Sequence, residues 1–261
     1  MFIDTHCHLD AAEFGVTPQV LMQEALAVGV STIVLPSVER SNFAAVQSIC
    51  AQHAACAPAF GIHPMFVDRA TPADLDVLRE YLHRHNPVAV GEIGLDFFIE
   101  NFDQKKQEYY FSAQLKLAQE FDLPVLLHIR KAQDTILKHL RSTPVRGGIA
   151  HAFSGSPQQA AEFIKLGFRL GFGGAMTYPR ATKLRELAAT LPLDSIVLET
   201  DAPDIPPEFL PRGEPNRPSY LPRIAGTLAG LRNLTLAEIA RITTANAHAV
   251  LPGLARNFTG H

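Results

Sequence analysis

The residues best equipped for chemistry in this sequence are histidines and carboxylates that end short apolar runs. His6 and His8 close the first run, MFIDTHCHLD. There the period-2 alternation of an extended chain aims both imidazoles at one face and Cys7 at the other, with Asp4 and Asp10 flanking them. That geometry suits a bidentate metal site. Eleven histidines would produce roughly half a His-x-His pair by chance, so the pattern alone is weak evidence. A second pair, His83 and His85, ends a helical pattern before Asn86-Pro87, where an imidazole complements the helix dipole and faces water.

The remaining run ends are consistent with the first. PVAVGEIGLD places Glu92 at the end of an apolar strand, where an unpaired carboxylate would cost several kcal/mol or take up a proton, a penalty that a cation removes. LPVLLHIR brings His128, GGIAHAFSG brings His151 and SIVLETDAPD brings Asp201, each after four or five apolar residues. Four imidazoles and two carboxylates exceed the needs of one tetrahedral ion and suit two ions that share a carboxylate and a water. Two cations about 3.5–4 Å apart would acidify that water and clamp the attacking and leaving oxygens, which is hydrolytic chemistry. No dinucleotide fingerprint, phosphate-binding loop or nucleophile elbow competes with this reading, and GFGG (Gly171 to Gly174) reads as a tight strand-to-helix turn. The expected cofactor is a pair of divalent metal ions drawn from Zn, Mn or Mg. Imidazole favours zinc, manganese or iron at the tighter position, and Mg²⁺ or Mn²⁺ suits the looser one.

Positioning six such groups needs a repeating scaffold. The 261 residues are 47% hydrophobic and 19% charged, which excludes disordered, collagen-like and disulfide-scaffold chains. Strands are expected at MFIDTH, Ser31 to Ser37, Ala57 to Ile62, Val88 to Ile93, Val125 to Ile129, Gly148 to Ala152, Phe168 to Gly173 and Ser195 to Thr200. Helices are expected near 18–28, 72–85, 103–121 and 156–166, with start signals at Thr71-Pro72, Asp103 and Ser156-Pro157. About eight βα units in this length fit a (β/α)8 TIM barrel spanning residues 1–261 as a single hydrolase domain. An open doubly wound sheet is the other arrangement such units allow. In the barrel, all the polar strand ends would open onto one rim. The Pro-rich stretch Asp201 to Leu221 is expected to loop over that mouth before one or two closing helices.

Three cysteines without metal-type spacing point to a reducing, cytoplasmic setting. No export signal or membrane span is expected, and the favoured state is a monomer. The net charge of −3 supplies no bulk positive field, so nucleic-acid contact would need a local patch.

The segments DTHCHLD, GIHP, GEIGLDF, LLHIRKA, HAFSG, ETDAPD and PNRPSYLP, taken in order, resemble the TatD family of metal-dependent deoxyribonucleases over nearly the whole chain. The resemblance implies an amidohydrolase-type barrel. It implies one metal held by His6, His8, Glu92 and Asp201, and another held by Glu92, His128 and His151, with Glu92 as the bridge. It implies DNA as the substrate, cleaved as a 3′ to 5′ exonuclease acts on single-stranded ends, with Asp201 as proton acceptor and donor. His63 and Arg130 are expected phosphate contacts, Asn216 a residue of the substrate mouth, and Glu199 a support one layer beneath Asp201. Arg217 stands where the family more often has an acidic residue, which would alter substrate preference. Phe97, Phe98, Tyr178 and Tyr220 fall on expected loops and offer rings for bases.

Two other readings compete. The same paired-metal site would suit a cyclic amide, a lactone or an aminoacyl ester of tRNA, and a closed pocket would favour that. An open groove edged by Arg130, Lys131, Arg180, Lys183, Arg212 and Arg217 would favour a polynucleotide. A binding protein with a vestigial site predicts missing ligands, and none is missing.

Overall fold

The computed structural model describes residues 1–258. Eight parallel strands follow one another in chain order around a single sheet: β1 (Phe2–Asp4), β2 (Val30–Pro36), β3 (Cys56–Phe60), β4 (Ala89–Asp96), β5 (Val125–Arg130), β6 (Gly148–Ala150), β7 (Phe168–Phe172) and β8 (Ile196–Leu198). The sheet closes on itself just beyond the last strand. Thr5 donates to the Leu198 carbonyl at 3.1 Å, Asp201 to that of His6 at 2.8 Å and His8 to that of Ala202 at 2.8 Å. The fold is therefore the expected TIM barrel, and the open sheet is excluded.

Helices α1 (Pro18–Ala27), α2 (Phe43–Gln52), α3 (Pro72–His85), α4 (Gln104–Glu120), α5 (Gln133–Ser142), α6 (Pro157–Lys165) and α7 (Thr182–Thr190) connect successive strands. Their starts follow the sequence signals. The Asp74 carboxylate accepts the Thr71 N–H at 2.8 Å, Asp103 accepts that of Lys106 at 3.0 Å, and Ser156 and Gln159 cap each other reciprocally at 3.0 and 3.1 Å. After β8, residues 201–217 run irregularly to a 3-10 turn at Pro218–Tyr220, then α8 (Leu221–Arg232) and α9 (Leu236–Val250) complete the ring.

The core has two parts. Outward-facing strand residues such as Ile33, Leu35, Val90, Leu127 and Leu170 pack beneath the helices in a large shell. Inside the barrel, Ile3, Val34, Ala57, Ala59, Ala89, Leu126, Ile149 and Val197 form a separate floor, plugged from below by Ala247, Val250, Leu251 and Leu254 from α9 and the turn after it. The upper lumen is left to polar groups.

Candidate metal centre

Strand alternation carries the chain from the apolar floor to the polar layer. On β5, Leu126 lies in the floor, His128 one step above it and Arg130 at the mouth, while Leu127 and Ile129 face the helices. Ile149 in β6 and His151 just beyond it repeat the pattern, as do Val197 in β8 and Glu199 and Asp201 beyond it. Two strands depart from it. The β4 register shifts between Val90 and Ile93, so that Ala89 and Glu92, of opposite parity, both face inward. After β1 the chain bends at Thr5, whose N–H and hydroxyl both donate to the Leu198 carbonyl at 3.1 Å, and this turns His6 rather than Cys7 into the lumen. Gly94, at φ +154°, lies where a Cβ would strike the His128 carbonyl oxygen. Gly171 likewise leaves room for the Glu199 carboxylate, so part of GFGG serves a close approach within β7, and the turn begins only at Gly173.

The two oxygens of Glu92 face different imidazoles. Oε2 stands 3.0 Å from His6 Nε2 and 3.6 Å from His8 Nε2, and Oε1 stands 3.1 Å from His128 Nδ1 and 3.4 Å from His63 Nε2. Asp201 Oδ1 lies 3.7 Å from both His6 and His8 and 3.4 Å from His151 Nε2. Their donor atoms form three groups, each within a 4.8 Å span: His6, Glu92 and His151; His6, His8 and Asp201; His63, Glu92 and His128. The expected set of Glu92, His128 and His151 is not one of them. His128 pairs instead with His63, and His151 stacks on His6 with ring centroids 3.7 Å apart, because β3 and β5 flank β4 on the side opposite β8. His63, expected at a phosphate, thus points into the donor cluster, its ring centroid 4.2 Å from that of His128.

The residues fit a cation. The Nε2 atoms of His6 and His8 face each other at 3.3 Å around the same Glu92 oxygen, an arrangement in which lone pairs converge. Electrostatics agree with this. Burial raises the Glu92 carboxyl, but the surrounding imidazoles, His6 and His63 first and then the bonds to His128 and His6, outweigh it and hold the group well below its usual range. Burial opposes ionisation of Asp201 too, and His151, His6 and His8 pull it down. Burial and the neighbouring His151 lower His6, and burial with His128 lowers His63 to about 4, so both present free lone pairs at neutral pH. In the metal-free cluster, His151 is raised well above its usual value: burial alone would lower it, but the charges of Glu199 and Asp201 prevail. A divalent ion would displace that proton.

Behind the cluster stand supporting residues, and among them sequence reasoning anticipated the role of Glu199 alone. Asp96, fully buried, takes His128 Nε2 at 3.0 Å and leaves Nδ1 toward Glu92. Two glutamines on one face of α4, two turns apart, each embrace a single strand-end residue. Gln107 accepts the Asp96 N–H at 2.9 Å and donates to its carbonyl at 3.0 Å, and Gln114 does the same for Ile62 at 2.7 and 3.1 Å. Ser37 bonds Gly61 through its hydroxyl and Glu92 through its carbonyl. The polar residues in an otherwise apolar helix face and strand end were the available signal. Asp4, fully buried, accepts Thr200 through both its N–H, at 2.9 Å, and its hydroxyl, at 2.6 Å, and so ties β1 to the residue before Asp201. Glu199 lies beneath Asp201 as expected. It accepts the Ala152 N–H at 2.6 Å, with His151 Nδ1 3.0 Å away but out of line for a hydrogen bond.

Other expected residues sit elsewhere. Asn216 is fully buried, its amide donating to the Thr200 and Ile205 carbonyls at 2.7 and 3.2 Å, so it shapes the loop under the mouth and presents nothing to a substrate. Arg217 is bound at 2.9 Å to both oxygens of Glu24 on α1, which removes it from the rim. Asp10 holds the Asn42 amide, and His83 and His85 end α3, away from the cluster. Arg130 reaches the exposed mouth and lies over the Phe98 ring.

Residues 3–252 match the family described as TatD related DNase. The chain belongs to the TatD family. Among TatD proteins, it is 41% identical over 250 residues to the uncharacterized metal-dependent hydrolase YjjV of Escherichia coli K12, covering 95% of this chain and 96% of that one. The crystal structure of E. coli YjjV superposes with a TM-score of 0.92 at 40% identity, covering 96% of this chain and 98% of the other. The Klebsiella pneumoniae 3′-5′ ssDNA/RNA exonuclease TatD is 31% identical over 249 residues, 93% of this chain and 95% of that one. Among the described residues, no helix is long and apolar enough to cross a membrane.

Proposed function

We propose that this protein is a divalent-metal-dependent phosphodiesterase that removes nucleotides from the 3′ ends of single-stranded DNA. The observation that carries the reading is Glu92, whose two oxygens face separate imidazole groups as a bridging carboxylate would. His6, His8 and Asp201 would hold one ion and His128 the other. Glu92 would lie between them, and His151 and His63 are within reach of the cluster from its two sides. Bound divalent ions supply positive charge to a phosphoryl oxygen and acidify water. Asp201 Oδ1, held ionised among three imidazoles and partly open to solvent, would accept the proton of an attacking water and return it to the leaving oxygen. His63, neutral near pH 7, contributes a polar edge without adding charge. Asp96 keeps the imidazole of His128 oriented, and the Glu199 carboxylate sets negative charge 3.0 Å from His151 Nδ1. The name of the Klebsiella relative supports the choice of single-stranded substrate and the direction of cleavage.

End-labelled single- and double-stranded DNA incubated under Mg²⁺, Mn²⁺ or Zn²⁺ tests this reading. Shortening from the 3′ end of single strands is expected, lost in Glu92→Ala and Asp201→Asn. Equal cleavage by the variants, or none by the wild type with any of these ions, would overturn it.

A further inference from the structure

Of the four aromatic residues that the sequence offers for stacking, Phe97, Phe98, Tyr178 and Tyr220, three pack on another ring or bond to the backbone. Phe97 stacks on Phe102 with centroids 5.1 Å apart, Tyr220 packs against Phe209, and the Tyr178 hydroxyl donates to the Pro206 carbonyl at 3.2 Å. Phe98 instead meets two cations. It is 49% exposed, with the Arg130 guanidinium 3.8 Å and the Lys131 ammonium 4.5 Å from its ring centroid.

Its position is tied to the metal centre by two short links. Asp96, which holds His128 through one oxygen, accepts the Phe98 N–H at 2.9 Å and the Ile99 N–H at 3.3 Å through the other. Phe97 donates its N–H to the Arg130 carbonyl at 2.9 Å. Arg130 follows His128 on the same strand face, at most about 7 Å along the chain. A flat ring flanked by two cations matches the planar base and anionic phosphate of one nucleotide.

We propose that Phe98, with Arg130 and Lys131, forms a subsite for the nucleotide next to the scissile bond, the base stacking on the ring and its phosphate meeting the two cations. This rests on the nucleic-acid reading above and goes further, because it requires the enzyme to recognise bases without regard to their identity. Stacking is tolerant of sequence since every base has a π-face, and the cations add a salt-dependent contact.

The test measures binding by fluorescence anisotropy, using the metal-loaded protein and single-stranded oligonucleotides with hydrolysis-resistant phosphorothioate linkages. One oligonucleotide is intact and the other carries abasic residues at its last three 3′ positions. The wild type is expected to bind the intact strand about tenfold more tightly. Phe98→Ala should erase that preference while binding the abasic strand like the wild type, and Phe98→Trp should keep it. Lys131→Gln should weaken both strands alike and reduce the dependence on salt. If Phe98→Ala retains the preference, or the wild type shows none while still cleaving DNA, the subsite is overturned and the proposed function stands. If the wild type neither binds nor cleaves DNA, both fall.

Discussion

The floor and the mouth of this barrel are built by the same strands two residues apart, yet they have opposite chemistry. Leu126, Ile149 and Val197 fill the floor with apolar volume. One step up the same inward faces, His128, His151 and Glu199 converge on charge. The floor is a packed core closed by α9, so its residues answer to volume. The mouth is bounded by loops and answers to donor direction. Depth in the barrel, rather than which strand a residue occupies, sets what that residue does.

Substitutions on the two levels should therefore fail in different ways. Glu92→Gln removes a charge that faces four imidazoles. We expect turnover to fall by more than about a hundredfold, beyond the usual effect of losing a ligand's support, and steady-state kinetics checks it. Leu126→Ala, two residues below His128, should lower stability by about 2–5 kcal/mol through the cavity it leaves, with metal content per folded chain unchanged. Denaturant unfolding and metal analysis together would break the comparison if the two effects were exchanged.

Much of this division was legible beforehand. Apolar runs ending in His6, Glu92, His128, His151 and Asp201 announced both the strands and the rim they open on. The partition of the donors was not legible, because it depends on the β4 register shift and the bend at Thr5, which change parity without any mark in the apolar pattern. Strand neighbourhood likewise decided that His63 meets His128, which no spacing along the chain encodes. β6 and β8 each stop short of their expected ends, at Ala150 and Leu198, so His151 and Asp201 are loop residues held by tertiary hydrogen bonds. The roles of Asn216 and Arg217 turned on partners more than ten residues away, Ile205 and Glu24 among them.

The supports between the levels sharpen the contrast at smaller scale. Gln114→Leu leaves the buried Ile62 N–H without a partner and should cost about 1–3 kcal/mol. Because Ile62 precedes His63, turnover should fall as well, whereas a floor substitution of equal cost should leave the turnover of the folded protein alone. Far from both levels, burial raises the Asp74 carboxyl, but the Thr71 N–H and hydroxyl and the Arg40 guanidinium hold it below its usual range. A lowered carboxyl stabilises the fold above the unfolded value of 3.8, and this contribution is lost as pH falls further. Asp74→Asn should cost about 1 kcal/mol at neutral pH, a difference that closes as unfolding is measured toward pH 3, with no effect on hydrolysis.

In the proposed centre, side chains from the ends of six strands would gather two divalent ions around Glu92. Elemental analysis of dialysed protein after loading with Zn²⁺ or Mn²⁺ tests it most directly. We expect about two ions per chain in the wild type and far fewer in Glu92→Ala of verified fold. A wild type that retains no ion, or a Glu92→Ala variant that retains both, would contradict it.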